Sequence, residues 1–532
     1  MKKFLLLAGI AVMALCANAQ NPFAYNLTID STNVTKGKTV TVGYTLNAAA
    51  ESGYIGLMKI STTSVSDWIK FDLDSAQLVK GDHKVTISTE NLEAGCEYGW
   101  AVQVTGAKID AAKEIFSDLS GGGAHQYWSP YGVACDNDPT SAHFGRVLIT
   151  EAQGNMGSSY FTKASGVGVG LYEYDPQGNP VKNAAGTYGY NPFNWGAGTY
   201  QSASSAQSQK MNLKKVRIAE DGRIFIGVLD CVNNPIYTVD PENLGKWSPL
   251  FDCDSIDTDE TGYAYKEGKM IAAPSAAFDI YGAGEDLKLV NLGSKYGQSY
   301  SYGNYTCYEY PIGGNYAYSA EPTNEVFPLS MQYTISAQSV SVAYDADGNI
   351  WYAQYRGTPT DAQPAIKHAS YSASDGEWVE DYSDITTVVR GGGIAFNKDY
   401  TLLAIPKNNF SLGVYSVSKD DAGKPVLTEK YAVTTTSIRG FNDICFDYAN
   451  NIYSCDNGKE VMQQIQLPLE DPTTMVPCNY GQLINVVEPV VPTAVTDINT
   501  NATVKAQKVI ENGQVIIVVG DKKYNTMGVE VK

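Results

Sequence analysis

Residues that could carry acid–base, nucleophilic or metal chemistry are few, and they are scattered along the chain. The four histidines are His83, His125, His143 and His368. None stands in an HExxH spacing, which would put two imidazoles on one helix face. Neither a Gly-x-Ser-x-Gly elbow nor a glycine loop for phosphate occurs. Hard oxygen ligands are denser: Asp252, Asp254, Asp257, Asp259 and Glu260 crowd one loop, and that density can hold Ca2+. The loop lacks the glycine and distal glutamate of an EF-hand, so a solvated acidic loop is the competing reading. No other cofactor is expected.

Two tracts are rich in rings. One holds Tyr188, Tyr190, Phe193, Trp195 and Tyr200. The other holds Tyr296, Tyr300, Tyr302, Tyr305, Tyr308, Tyr310, Tyr316 and Tyr318. Both are interleaved with Gly, Ser and Asn. Flat rings with polar tips suit sugar faces or protein partners, and ordinary packing between strands is the alternative. Tyr188, Tyr190, Trp195, Tyr300, Tyr302 and Tyr305 are the candidate ligand-binding residues. Cysteine spacings fit no zinc ribbon and no CxxC motif. Cys445 and Cys455 sit symmetrically about Ala449-Asn450-Asn451, so a hairpin there could place them face to face as a disulfide. Two buried free thiols are the alternative.

The elements that must position these residues read as strands. With 50 Gly and 37 Tyr, and only 18% of residues charged, the composition is rich in strands and turns. From about 121 to 485 one phrase recurs: an apolar strand, a turn with Asp, Asn or Gly, then an aromatic-aliphatic strand. Val216-Arg217-Ile218-Ala219-Glu220-Asp221-Gly222 leads to Arg223-Ile224-Phe225-Ile226-Gly227. Ser341-Val342-Ala343-Tyr344-Asp345-Ala346-Asp347-Gly348 leads to Asn349-Ile350-Trp351-Tyr352-Ala353. Further copies start at Gly132, Gly393 and Asn442, with a degenerate one near Ala276. The phrases resemble those of β-propellers of the NHL and gluconolactonase-like groups. That resemblance implies six or seven blades around a centre. It also implies a carboxylate and asparagines converging on a central cation, for which Asn233, Asn442, Asp443 and Asp456 are candidates. Turn residues and strand ends are the alternative reading of those four.

Residues 20–108 read as a separate small sandwich. Its segment Leu92-Glu93-Ala94-Gly95-Cys96-Glu97-Tyr98-Gly99-Trp100 resembles the tyrosine corner of immunoglobulin-like and fibronectin type III domains. Residues 486–505, with Pro489 and Pro492, read as a linker. The tail 506–532, with Asn512-Gly513-Gln514 before an apolar strand and a closing Tyr524-Asn525-Thr526-Met527-Gly528, resembles the C-terminal sorting signals of type IX secretion cargo. That resemblance implies the secretion machinery as a partner. At the other end, Lys2 and Lys3, an apolar run to Leu15 and Ala17-Asn18-Ala19 predict a signal peptide of residues 1–19, cut before Gln20. Leu15 before Cys16 disfavours lipidation of that cysteine.

A net charge of −19 repels phosphate backbones, so nucleic acid is excluded as a partner. No stretch after the leader is apolar enough for a transmembrane segment. The expectation is an all-β protein, an immunoglobulin-like sandwich followed by a six- or seven-bladed propeller and a short β tail, secreted or held at the outer-membrane surface. Its expected role is non-catalytic binding of a glycan or an envelope protein. A propeller hydrolase or lyase acting on extracellular polysaccharide is the second reading, and a structural envelope component the third.

Overall fold

The computed structural model describes residues 20–61, 68–118, 126–152, 167–193, 213–228, 236–250, 257–258, 264–266, 269–272, 275–293, 306–313, 324–327, 340–354, 365–384, 393–407, 411–434, 441–456, 461–489, 507–512, 514–525 and 529–531. Their regular structure is almost wholly antiparallel strand. Among them no helix is long and apolar enough to cross a membrane.

The first seven strands are β1 (Ala24–Ile29), β2 (Asn33–Thr35), β3 (Thr39–Leu46), β4 (Ser52–Lys59), β5 (Ile69–Asp72), β6 (Gly81–Ser88) and β7 (Cys96–Thr105). Two sheets share them. One runs β1-β3-β6, and the other contains β2, β7, β4 and β5. Alternating apolar residues from both sheets, among them Val42, Ile55, Leu57, Ile87, Trp100 and Val102, fill one core. The Tyr98 hydroxyl accepts a hydrogen bond from the Glu93 N–H at 2.9 Å, which pins the turn leading into β7.

After β8 (Lys113–Ser117), the chain builds small sheets one after another. The first holds β9 (Pro130–Cys135), β10 (Val147–Glu151) and β11 (Gly170–Tyr174). The second holds β12 (Leu213–Ile218), β13 (Ile224–Val228), β14 (Ile236–Asp240) and β15 (Asn243–Pro249). A short sheet of β16 (Asp257–Thr258), β17 (Ala264–Lys266) and β18 (Lys269–Ala272) intervenes. The third holds β19 (Ser275–Tyr281), β20 (Lys288–Gly293), β21 (Thr306–Pro311) and β22 (Asn324–Phe327). The fourth holds β23 (Val340–Tyr344), β24 (Ile350–Gln354), β25 (Ile366–Ser372) and β26 (Glu377–Asp384). The fifth holds β27 (Ala395–Phe396), β28 (Leu402–Pro406), β29 (Leu412–Lys419) and β30 (Pro425–Val433). The last begins with β31 (Asp443–Phe446), β32 (Ile452–Asp456) and β33 (Val461–Gln466).

The first strands of these sheets touch in cyclic order: β9 meets β12, β12 meets β19, β19 meets β23, β23 meets β27, β27 meets β31, and β31 returns to β9. Each sheet grows outward from that ring, which is the radial arrangement of a β-propeller. The inner strands are largely buried, and most of their side chains are apolar, but β12, β19 and β31 also carry Lys215, Arg217, Asp279 and Asp443. One edge needed a further strand. β8, from before the first sheet, pairs with β33 and completes the last one. That pairing covers an edge that would otherwise expose a row of unpaired backbone groups.

A single turn device repeats between strands. Asp175, Asp345, Asp420 and Asp447 each use Oδ1 to accept N–H groups from the second and fourth residues onward, at 2.8–2.9 Å. The third residue onward must then take a left-handed conformation: Gly178, Gly348, Gly423 and Asn450 all have positive φ. Glycine and asparagine tolerate that region at least cost.

The sheets do not divide where the sequence reading divides the chain. β34 (Thr473–Pro477) and β35 (Ile484–Val487) leave the ring and pair with β7. Residues expected at the end of the repeats and the start of the linker thus complete the second sheet of the first sandwich. The Gly106 N–H donates to the Pro472 carbonyl at 3.0 Å, so the outgoing and returning chains lie side by side. Local alternation cannot reveal this, because a strand's pattern does not name its partner. Sandwich and ring also share an aromatic cluster, where Phe23 packs against Phe144 and Tyr448 at ring-centre distances of 5.5 and 6.0 Å. The Asn21 backbone exchanges hydrogen bonds with the Asn451 side chain at 2.8 and 3.0 Å.

Residues Val487–Lys532 form a second compact unit. Within it β36 (Gln507–Glu511), β37 (Gln514–Val519), β38 (Lys522–Tyr524) and β39 (Glu530–Val531) make a four-stranded antiparallel meander. Residues 1–19 and most of the expected linker lie outside the described residues.

Candidate functional site

At one end of the ring, the last residues of the first strands and the turns after them enclose a cavity of about 610 Å³. Its wall takes Cys135 from β9, Arg217 and Ile218 from β12, Asp279 and Ile280 from β19, and Tyr344 from β23. It takes Phe396 from β27 and Cys445 from β31. Glu220, Lys398, Asp399, Tyr400 and Tyr448 from the following turns line it as well.

Charge is concentrated in that wall and just behind it. Asp443 is fully buried. One oxygen of its carboxylate takes the Lys215 ammonium at 2.9 Å and an Arg217 N–H at 3.0 Å. The other takes a second Arg217 N–H at 2.8 Å and the Val133 N–H at 2.9 Å. Arg217 also reaches Asp279 at 3.0 Å, and Asp279 accepts the Tyr344 N–H at 2.9 Å. One carboxylate on β31 thereby gathers β9 and β12, and Arg217 extends the link through Asp279 on β19 to β23. Burial alone would push the Asp443 carboxyl up, but Arg217 and Lys215 overcome it and hold it below the usual carboxylate range. Burial dominates at Asp279, whose carboxyl is pushed up despite its one cation. Burial also pulls the Lys215 ammonium down, against the pull of Asp443. With both oxygens engaged by protein cations and an amide, Asp443 does not fit as a metal ligand. Asn442 donates its N–H to the Cys455 carbonyl and directs its own backbone carbonyl to Lys215. Asp456 is buried at the end of β32, opposite Val461. Asn233 lies outside the described residues, and no group of three or more His, Cys, Asp or Glu suited to a metal occurs among those described.

The rim is aromatic. Tyr400 stands 5.8 Å from Phe396 and 6.5 Å from Tyr281, and Tyr281 stands 5.4 Å from Tyr344. Lys398 holds its ammonium 4.6 Å over the Tyr448 ring. Tyr400 occupies the turn position that Gly348, Gly423 and Asn450 fill elsewhere, with φ +55°. A bulky side chain there costs roughly 1–2 kcal/mol of backbone strain. Burial, then the fields of Asp279 and Glu220, push its hydroxyl well above the usual phenol range. The hydroxyl therefore stays protonated at neutral pH.

Asp447, which starts the turn carrying Tyr448, titrates in a useful range. Burial pushes its carboxyl up to about 7, although three hydrogen bonds from Ala449 and Asn451 oppose this. The unfolded value is about 3.9. The native state thus binds the extra proton, and this group's stabilisation is complete below about pH 4 and lost as pH rises through about 7. The loss is on the order of 2–4 kcal/mol. Asp447→Asn copies Asn397, which starts the neighbouring turn, and is expected to flatten the fall in stability between about pH 5 and pH 8. Denaturant midpoints at the two pH values check this, and parallel behaviour of variant and wild type would reject the assignment.

Tyr188 and Tyr190 do not reach the cavity. Both are half-buried on the outside of the first sheet, where Tyr190 exchanges backbone hydrogen bonds with Leu171 and Lys182 lies 5.5 Å over the Tyr188 ring. Trp195, Tyr300, Tyr302 and Tyr305 lie outside the described residues, as do Asp252, Asp254 and Asp259. Asp257 begins β16. Cys445 and Cys455 are not face to face: both are free thiols, Cys445 is opposite Tyr453, and Cys455 is opposite Asp443. The symmetric reading fails on register, because the strand opposite Cys445 is shifted so that Tyr453 takes the place expected for Cys455. Among the histidines, His368 is buried between Asp381 and Asp345, at 2.5 and 3.1 Å, inside the fourth sheet. Sequence reasoning missed Arg217, Asp279, Phe396, Tyr400 and Tyr448. Their common signal was equivalent position: each lies at the end of the recurring first strand or in the turn after it.

No family model and no curated protein matches the chain. Solved structures with some likeness include the gluconolactonase XC5397 from Xanthomonas campestris, at 10% identity and TM-score 0.37, covering 69% of this chain and 90% of that one. The WD40 β-propeller domain of Doa1 follows at 10% identity and TM-score 0.35, covering 67% and 98%. A chain of a mitotic checkpoint complex has 7% identity and TM-score 0.32, covering 68% and 93%. These scores are low, and the ring stands on its own strand contacts.

Proposed function

We propose that this chain is a secreted or cell-surface binding protein: an immunoglobulin-like sandwich carrying a six-bladed propeller, with a C-terminal sorting tail. Its cavity captures a glycan or an envelope protein without turnover. The observation that carries the reading is Tyr400. Its turn accepts glycine or asparagine elsewhere, yet here the backbone is held in a strained conformation that sets a ring on the cavity rim. Strain of this kind collects at sites that use it. Rings flanked by Glu220, Lys398 and Asp399 offer a stacking face with hydrogen-bonding neighbours, which suits a sugar. The charged groups below are committed to one another, which favours capture over proton transfer.

In Tyr400→Gly, relief of backbone strain offsets the lost ring packing, so stability is expected to stay within about 1 kcal/mol of wild type. Ligand capture is expected to weaken by roughly 1–3 kcal/mol. A glycan array with an activity screen, followed by titration of the best binder, checks both. Unchanged capture by Tyr400→Gly and Phe396→Ala would remove the cavity from the reading. Depolymerisation of an array glycan by the wild type would replace binding by catalysis.

A further inference from the structure

Two cysteines meet where the ring closes. Cys135 ends β9 and Cys445 lies in β31, the first strands of the first and last sheets, and their sulfurs are 3.2 Å apart. Both are free thiols in the wall of the cavity. We propose that Cys135 and Cys445 form a disulfide that ties the first strand of the first sheet to that of the last and closes the ring covalently.

A disulfide needs its sulfurs about 2.05 Å apart. The remaining gap is about an ångström, within reach of a small side-chain rotation, and β9 and β31 are already in contact. The other nearby thiol is committed differently: the Cys455 Sγ points at the Gly132 carbonyl at 3.6 Å. Cys445 is the more exposed of the pair, so it meets an oxidant first. Burial, and then Cys445 itself, push the Cys135 thiol well up, so Cys135 acts as the second, resolving partner.

The oxidant is an external disulfide, either glutathione disulfide or the disulfide of a thiol oxidoreductase. The Cys445 thiolate attacks one of its sulfurs and releases one thiol, leaving a mixed disulfide. Cys135 gives up its proton and attacks the Cys445 sulfur, and the second thiol leaves. Two thiols lose two protons and two electrons, and the external disulfide gains them. The bond spans a sequence separation of 310 residues. It acts at the same seam as β8 but links the inner strands, where β8 links the outer ones.

The test begins with purified full-length protein incubated with glutathione disulfide, then unfolded, alkylated and digested without reduction. The expected result is one peptide pair joining Cys135 to Cys445 that separates on reduction. Alkylated Cys135 and Cys445, or Cys445 joined to another cysteine, would overturn the proposal. A second arm needs no variant: the oxidised wild type is expected to melt about 3–6 °C above the reduced wild type. Cys135→Ser, Cys445→Ser and the double variant should all match the reduced protein and lose sensitivity to the oxidant. Equal melting of both wild-type forms, or an oxidant response retained in Cys135→Ser, counts against the bond.

Discussion

Asp443→Ala is expected to lower the stability of the protein by about 3–5 kcal/mol, the range for removing one partner of a buried ion pair. The substitution leaves Lys215 buried with no anion and Arg217 with Asp279 alone. Lys215 can lose its proton, since burial already pulls its ammonium down; a guanidinium cannot. The Val133 N–H is orphaned as well. The double variant Lys215→Met, Asp443→Ala removes the more poorly matched cation and is expected to recover part of the loss. Denaturant unfolding of the two single variants and the double closes a cycle whose coupling should exceed about 1 kcal/mol. A loss under about 1 kcal/mol for Asp443→Ala would mean that water, not Asp443, neutralises the two cations.

Residues 20–108 expressed alone are expected not to fold. The fragment has the alternation of a complete sandwich but lacks β34 and β35. Ile484 and Val486 are buried in its core, and the Trp100 indole N–H donates to the Gln482 carbonyl at 2.9 Å. Without these strands one whole side of β7 becomes an unpaired edge, and the core loses Ile484 and Val486. Buried aliphatic side chains of that kind are worth about 2–5 kcal/mol each. Joining residue 106 to residue 472 by a short Gly/Ser linker, and ending at 489, is expected to restore a cooperative thermal transition. The hydrogen bond between Gly106 and Pro472 shows that the joint spans almost no distance. A cooperative melt from the 20–108 fragment would show that the returning strands are dispensable.

Much of the strand pattern was legible in the sequence. The phrases at Val216, Ser341 and Asn442 coincide with β12, β23 and β31, and the strands after their turns with β13, β24 and β32. Period-two alternation and turn chemistry are local, so they survive in one dimension. Pairing is not local. β8 falls between the two regions read from the sequence, and nothing in Lys113–Ser117 names β33 as its neighbour. The same holds for β34 and β35. The site was hidden for a related reason. Arg217, Asp279 and Asp443 look like ordinary turn and strand-end polar residues until the ring sets both carboxylates within 3.0 Å of the guanidinium. Tyr400 was the exception that could have been read: a tyrosine in a turn slot that other repeats fill with glycine or asparagine.

The return of β34 and β35 also dictates an order of events during synthesis. The strands that finish the first sandwich leave the ribosome after every blade of the ring. β7 therefore waits with an open edge for as long as translation of the whole ring lasts, at about 5–20 residues per second. The first strands made are among the last to reach their native state, and the ring must form as a closed loop held by two ends that are not yet joined. Such a chain has high contact order and is expected to fold slowly.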